Sequence, residues 1–472
     1  MSDFKNPPLM AIGDSLYQGV RSLTVRAEMM RLCAPRTVAQ GLGLGDGFAV
    51  PQPARPVIIN MEHWLHAFPD FDEINRDLKR SARYWRTDPR APDGRSFHDN
   101  ISVASAQYND LIGAGPLGLS RTQAQAWIDA NMDAAKWEML ESLDGIADLV
   151  ASGVNLGTLV MALNTRYTLC PDGANDPHNL ADLTPVEQVD HRKPDRLLVN
   201  IGSNQGLWEM AFEAQDSVTF DFSGLDQLAQ QLDATEVPHI YFNGLGLPST
   251  VANLMPVEHF AYMSSPVPGH YFDEYENRFG FGYNTLSGAQ VRGLDQQLRQ
   301  INEQVKRRVI AQFAKPERVH FVDLAGVLEA HDTKHDWRND DKALRMSDDK
   351  RLTNVTTETS PWPLPRLQRG GLFGLDGMHL SAVGYGLMAQ AVLNGIAQKE
   401  NLSPQPVDFE QLYEEDRLLD NAPRSWSYLL WLWRDIRRAR ARGDQPDEAE
   451  ESARAKKVMD PALRAQPGGT VR

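Results

Sequence analysis

The chain has 472 residues, 42% hydrophobic and 24% charged, the range of a globular protein able to bury a sizeable core. Its 48 basic and 63 acidic side chains leave a net charge of −15, which argues against a nucleic-acid partner, because phosphate backbones are bound by basic surfaces. Two cysteines, Cys33 and Cys170, exclude a disulfide framework and a Cys-x-x-Cys metal or redox pair; one bridge is compatible with the count, and two free thiols is the simpler reading.

From the amino end, residues 1–8 carry one lysine, Lys5, and a Pro-Pro pair, without the apolar stretch of a secretory signal, so a cytoplasmic location is expected. Pro8–Ile12 is a short apolar run entering Gly13, Asp14 and Ser15, and Asn100–Val103 is the next plausible strand. A helical pattern covers Ala124–Ala151. The most apolar run, Val150–Leu163, is too short to span a bilayer and is broken by Ser152, Gly153, Asn155 and Gly157. Arg196–Ile201 enters Gly202, Ser203 and Asn204, and Val237–Phe242 enters Asn243 and Gly244. Apolar Val291, Leu294, Leu298, Ile301, Val305 and Val309 predict a helix over Ser287–Phe313, followed by a strand at Arg318–Asp323. A last helix of the core runs from just past His379 to about Ala397.

Strands alternating with helices predict an α/β fold around a mostly parallel sheet. Residues 1–400 form its core, with helical insertions at about 17–99 and 114–194 that are expected to form a cap on that core rather than a separate unit. Residues 401–442 are a C-terminal helical extension. Residues 443–472, rich in Glu, Ala, Arg, Gly and Pro, have the composition of a disordered tail. No internal repeat is present.

Gly13-Asp14-Ser15-Leu16 by itself is a turn with a capping residue. Its place between a strand and a helix gives it more meaning, because free N–H groups at a helix start favour a developing negative charge. A serine nucleophile needs a base. Asp376 and His379, three residues apart in a turn before a helix, supply one: the carboxylate reaches one imidazole nitrogen and leaves the other outward. The plainer reading of that pair is an Asp-Gly turn with a capping histidine.

These three segments, Gly13-Asp14-Ser15-Leu16, Gly202-Ser203-Asn204 and Asp376-Gly377-Met378-His379, resemble in content and order three of the four conserved blocks of the SGNH (GDSL) hydrolases. The resemblance covers about Pro8 to Gln398 and leaves the two insertions without a counterpart. It implies a flavodoxin-like three-layer αβα sandwich with strand order 2-1-3-4-5, whose ligand crevice lies at the carboxyl ends of the strands. It implies a carboxylic ester hydrolase of the esterase or lipase type with Ser15, Asp376 and His379 as catalytic triad. An oxyanion hole of Ser15, Ser105 and Asn204 follows, with no cofactor and no metal. Ser105 stands where the family usually has a glycine, and Gln205 where aspartate is commoner. Asp14 is expected to shape the turn.

The expected partner is a small-molecule, lipid or acylated-sugar ester, and the long insertions favour a covered pocket and a larger substrate. Two other functions fit the same residues: a (lyso)phospholipase or acyltransferase working at a membrane surface, and a catalytically inactive SGNH-fold binding module. The first leans on Trp426–Trp433 followed by Arg434, Arg437, Arg438 and Arg440, whose nearly continuous apolar residues favour burial instead. Glu329, His331 and His335 offer metal-ligand spacing but sit among charged neighbours, so a solvated face is the better reading. Gly41–Gly47 lacks the lysine and spacing of a phosphate loop and is expected to be a flexible turn. The aromatic stretch of Phe260, Tyr262, Met263, Tyr271, Phe272 and Tyr283 fits either a pocket lining or a loop packed on the body.

Overall fold

The structure is a computed structural model and describes residues 3–115, 118–257, 271–280, 282–334, 342–347, 350–356 and 370–441. Its strands in chain order are β1 (Met10–Gly13), β2 (Arg196–Asn200), β3 (His239–Asn243), β4 (Leu254–Pro256), β5 (Glu274–Asn277), β6 (Thr285–Ser287), β7 (Val319–Val322), β8 (Leu344–Ser347) and β9 (Lys350–Leu352). The central sheet is fully parallel in the order β1-β2-β3-β7. Its strands are near-continuous apolar runs because both faces are covered: Met10, Ala11, Ile12, Leu197, Leu198 and Val199 have no exposed surface. The protein is therefore mixed α/β around a four-stranded parallel sheet, as the alternation of apolar runs and helical patterns predicts.

The strand expected at Asn100–Val103 is present only as extended backbone. It lies along β1 through one parallel bridge, Ala11 to Asn100, with Ala11 N–H donating to Asp99, Ile101 N–H to Ala11 and Val103 N–H to Gly13. Two groups of helices cover the sheet. Ala34–Gly41 and Ala382–Glu400 pack together, the latter also against β7, while Pro185–Arg192, Ser223–Ala234 and Gly288–Gln312 form the other group. The longest of these matches the pattern expected over 287–313, with Ser287 as its N-cap in a capping box with Gln290.

The helical stretch expected over Ala124–Ala151 is divided into three helices, Arg121–Asn131, Ala134–Met139 and Leu143–Ala151. Asp133 and Ser142 each turn a side-chain oxygen onto the N–H three residues on, starting a new helix inside that stretch. Both insertions share the core of the sheet. One cluster of buried side chains joins Leu78, Trp85, Leu159 and Tyr167 to Ile12, Leu198 and Phe242.

The C-terminal helix Arg424–Ala441 also packs on the body. Trp426 and Leu430 bury against Leu375 and Phe279, and buried Arg437 donates to the carbonyls of Asn277, Arg278 and Gly282. Among the described residues no single helix is long and apolar enough to cross a membrane; Leu143–Ala151 and Leu156–Leu169 pass only as a pair bent by 104°. The tail expected from 443 lies outside the described residues.

Gly13 closes β1 against β2. A Cβ there would stand 2.0 Å from the Asn200 carbonyl oxygen, and its φ of +152° is one that side chains rarely adopt. Gly13→Ala is expected to destabilise the protein by about 1–3 kcal/mol, as overpacking does. Urea unfolding checks this, and an unchanged midpoint would show that β1 can separate from β2 at no cost.

Candidate active site

Asp14, Asn200 and Asn243 stand at the carboxyl ends of β1, β2 and β3. The Asn243 amide donates to Asn200 Oδ1 at 3.0 Å, and the Asn200 amide donates to Asp14 Oδ1 at 2.9 Å. Asp14 Oδ1 also accepts the Leu16 N–H at 3.1 Å, which caps the helix Ser15–Gln18. That helix is one turn long, so any dipole at Ser15 is small and the local N–H groups matter more.

Ser15 meets a residue 364 positions away. Its hydroxyl donates to His379 Nε2 at 3.0 Å, and His379 Nδ1–H donates to Asp376 Oδ2 at 2.7 Å. A carboxylate facing Nδ1 fixes the proton there, which leaves Nε2 as the acceptor. Ser15 is 7% and His379 6% exposed, while Asp376 is fully buried. Both oxygens of Asp376 are occupied: Oδ1 by the N–H groups of Met378 and His379 at 2.9 Å each, Oδ2 by His379 and by the Leu23 N–H at 2.7 Å. Burial alone would raise this carboxyl, but the facing His379 and the backbone donors outweigh it, so the group is held below the usual carboxylate range. The three residues expected to form a triad are thus in hydrogen-bond contact in the expected order.

The residues expected to form an oxyanion hole are stitched to the same turn. Val103 N–H donates to Gly13 and Ala104 N–H to Gln18 Oε1, which bring the Ser105 turn beside Ser15. Ser105, which stands where a glycine was expected, adopts φ +67°, the left-handed backbone for which glycine is the ready choice. Among the described residues, neither the Ser15 nor the Ser105 N–H has an acceptor. The Asn204 amide donates one hydrogen to Ala106 O at 3.0 Å, and its second hydrogen remains. Trp208, stacked on Phe212, lies with its ring centre 6.2 Å from that of His379.

Several supporting residues carry no signal in the sequence. Gln18 and Asn164 exchange reciprocal amide bonds at 2.8 Å, tying the second insertion to the Ala104 N–H. Asn253 takes the carbonyl of Gly377 with its own N–H and reaches Ala211, Phe212 and Phe279 with its side-chain amide. Leu23, which donates to the candidate acid, lies 353 residues from it.

Other sequence features resolve into packing. Glu329 pairs with Arg299 and His331 bonds to Lys342 O, while His335 lies outside the described residues. Among the described residues no group of three His, Cys, Asp or Glu side chains is placed to hold a metal. Gly41–Gly47 is folded around Arg36, which binds Gly45 O, Phe48 O and Asp46. Tyr271 bonds to Asp295 and Tyr283 to Glu276, so these aromatics pack a loop on the body; Phe260, Tyr262 and Met263 lie outside the described residues. Cys33 and Cys170 are both free and buried, and burial pushes their thiols up to about 11 and about 12. Comparison of the chain with family models, curated proteins and solved structures finds no match.

Two outcomes follow from this geometry. Relief of left-handed strain and the extra chain freedom of glycine nearly cancel, so Ser105→Gly is expected to change stability by no more than about 1 kcal/mol. A larger loss in denaturant unfolding would mean that the Ser105 hydroxyl is itself a structural group. Asp14 has its carboxyl pushed by burial from 3.8 up to about 6, against the pull of the Leu16 N–H and the Asn200 amide. The folded state therefore holds this proton more tightly than the unfolded chain. Its contribution falls as pH rises from about 4 to about 6 and is level above that. Relative to wild type, Asp14→Asn is expected to gain stability across this window; parallel curves for the two proteins would overturn the assignment.

Proposed function

We propose that the protein is a serine hydrolase that cleaves carboxylic esters through an acyl-enzyme on Ser15. The observation that carries this is the contact of Ser15 Oγ with His379 Nε2 at 3.0 Å, with Asp376 on Nδ1 at 2.7 Å. In this reading the parallel sheet is the centre of an SGNH-type, flavodoxin-like αβα sandwich. Residues 99–103 take the edge position beside β1, giving the order 2-1-3-4-5. The crevice at the strand ends is where such sheets bind ligands.

As Ser15 Oγ attacks the acyl carbon, His379 Nε2 takes its proton. The negative charge that forms on the carbonyl oxygen is met by the N–H groups of Ser15 and Ser105 and the second amide hydrogen of Asn204. Asp376 stabilises the imidazolium and keeps its orientation. The bond to the alcohol then breaks, and His379 returns the proton to the leaving oxygen. A water molecule deprotonated by His379 attacks the acyl-enzyme, releasing the carboxylic acid and restoring Ser15 with its proton. The substrates are small-molecule, lipid or acylated-sugar esters. A membrane-surface role has less support, because Trp426, Leu430 and Arg437 are turned into the body.

Hydrolysis of p-nitrophenyl acetate, butyrate and octanoate by wild type, Ser15→Ala and Asp376→Asn tests the proposal. Wild type is expected to turn over at least one ester, Ser15→Ala none, and Asp376→Asn to lose on the order of 10⁴-fold in kcat through the wrong imidazole tautomer. Activity that survives Ser15→Ala in a folded protein would remove Ser15 as the nucleophile. Best activity on acetate would count against the larger pocket expected from the insertions.

A further inference from the structure

We infer that Arg21 is a positioning residue for the candidate catalytic acid, clamped by Glu62 from the first insertion and Asp416 from the C-terminal extension. Its catalytic consequence rests on the hydrolase reading, whereas the geometry stands without it.

Asp376 Oδ2 accepts from His379 and from the Leu23 N–H, both at 2.7 Å, so any movement of Leu23 changes the donors on the oxygen that orients the base. Leu23 sits in an unfavourable turn. Ser22 and Leu23 are consecutive non-glycine residues at φ +52° and +54°, each at a cost of about 1–2 kcal/mol. The turn is closed by the reciprocal backbone bonds of Arg21 and Thr24 and held from outside by the side chains of Arg21 and Ser22.

The Arg21 guanidinium, 1% exposed, donates to both Glu62 oxygens at 2.6 and 2.8 Å and also to Asp416. Ser22 Oγ donates to Glu62 at 2.8 Å and accepts the N–H of Leu375, the residue before the acid, at 3.0 Å. Asp416 accepts the N–H of Ala382, the first residue of the helix after His379, at 2.8 Å. The same two carboxylates therefore fix the Leu23 turn on one side and both flanks of Asp376–His379 on the other. Arg26 adds a second cation to Glu62 at 2.7 Å and lies 3.7 Å from Glu28. Burial would raise the Glu62 carboxyl, and Arg21 and Arg26 together hold it lower.

Magnitudes favour placement over stability as the use of this cluster. Desolvating two ion pairs costs several kcal/mol per ion, and well-packed apolar residues of the same volume do as well or better. What an apolar patch cannot do is fix the direction of these hydrogen bonds. The extension that delivers Asp416 is itself anchored by Leu418, Ala422, Trp426 and Leu430, buried against Leu375. It is thereby part of the catalytic assembly.

The test compares Asp416→Asn and Glu62→Gln, which keep shape and remove charge, with wild type. The readouts are kcat and KM on an ester that wild type cleaves, and the low-field proton resonance of the His379 Nδ1–H in ¹⁵N-histidine-labelled protein. Circular dichroism and the thermal midpoint are recorded alongside. The expected result is a fall in kcat of about tenfold or more with KM unchanged, and a shifted or broadened resonance, in protein that keeps its circular dichroism. Should Asp416→Asn not fold, Ser22→Ala gives the same comparison, since it removes only the link from Glu62 to Leu375. Wild-type kcat and resonance in the folded variants, with only the midpoint lowered, would overturn the inference. If wild type shows the resonance but cleaves no ester, the hydrolase reading fails, and the resonance in the variants alone decides the role of Arg21.

Discussion

A carboxylate shut off from water stays charged only if donors replace every lost hydration contact. Asp376 meets that requirement with four donors from two distant segments: the N–H groups of Met378 and His379, the His379 ring and the Leu23 N–H. The rest of the structure is arranged around this condition. The Asp376-Gly377 turn supplies the local donors, and Gly377, at φ +67°, lets Asn253 approach so closely that a Cβ would stand 2.8 Å from its nitrogen. The Leu23 donor depends on a strained turn, and that turn depends on Arg21, Glu62 and Asp416. Remote parts of the chain are thereby committed to one oxygen atom.

A second polar system lies under the nucleophile and has a different character. Asn243, Asn200 and Asp14 pass hydrogen bonds across three neighbouring strand ends, and the parallel register brings them level without any loop having to fold over. Here the donors fall short. The Leu16 N–H and the Asn200 amide both act on Oδ1 and do not offset burial, which pushes the group up to about 6. Two aspartates within one site thus lean in opposite directions because the groups facing one outweigh burial and those facing the other do not.

The insertions and the extension owe their place to these two systems. The second insertion reaches the Ser105 turn through Asn164 and Gln18, and the first reaches Asp376 through Glu62 and Arg21. Each contributes buried side chains to the one core around the sheet, so neither is a cap resting on a finished domain. The C-terminal helix, whose nearly continuous apolar residues favour burial over a membrane surface, uses Arg437 to bind three carbonyls of the Asn277–Gly282 segment and Trp426 to cover Leu375.

The sequence by itself determined what depends on short-range order. Apolar runs without alternation marked the four parallel strands, the 3.6-residue period over 287–313 marked the longest helix within a residue at each end, and the three-residue spacing of Asp376 and His379 set their mutual reach. It also supplied Ser15 at the end of the first strand. It marked 124–151 as helical but not the breaks within it, where Asp133 and Ser142 cap new helices. Only the tertiary structure decided that Ser15 lies 3.0 Å from His379, that Ser105 takes a glycine-like torsion, and that Arg21 is sandwiched between residues 41 and 395 positions away. The physical reason is that periodicity encodes which face of an element is buried. Which distant charge a buried arginine meets depends on how the chain closes, and no local pattern records it.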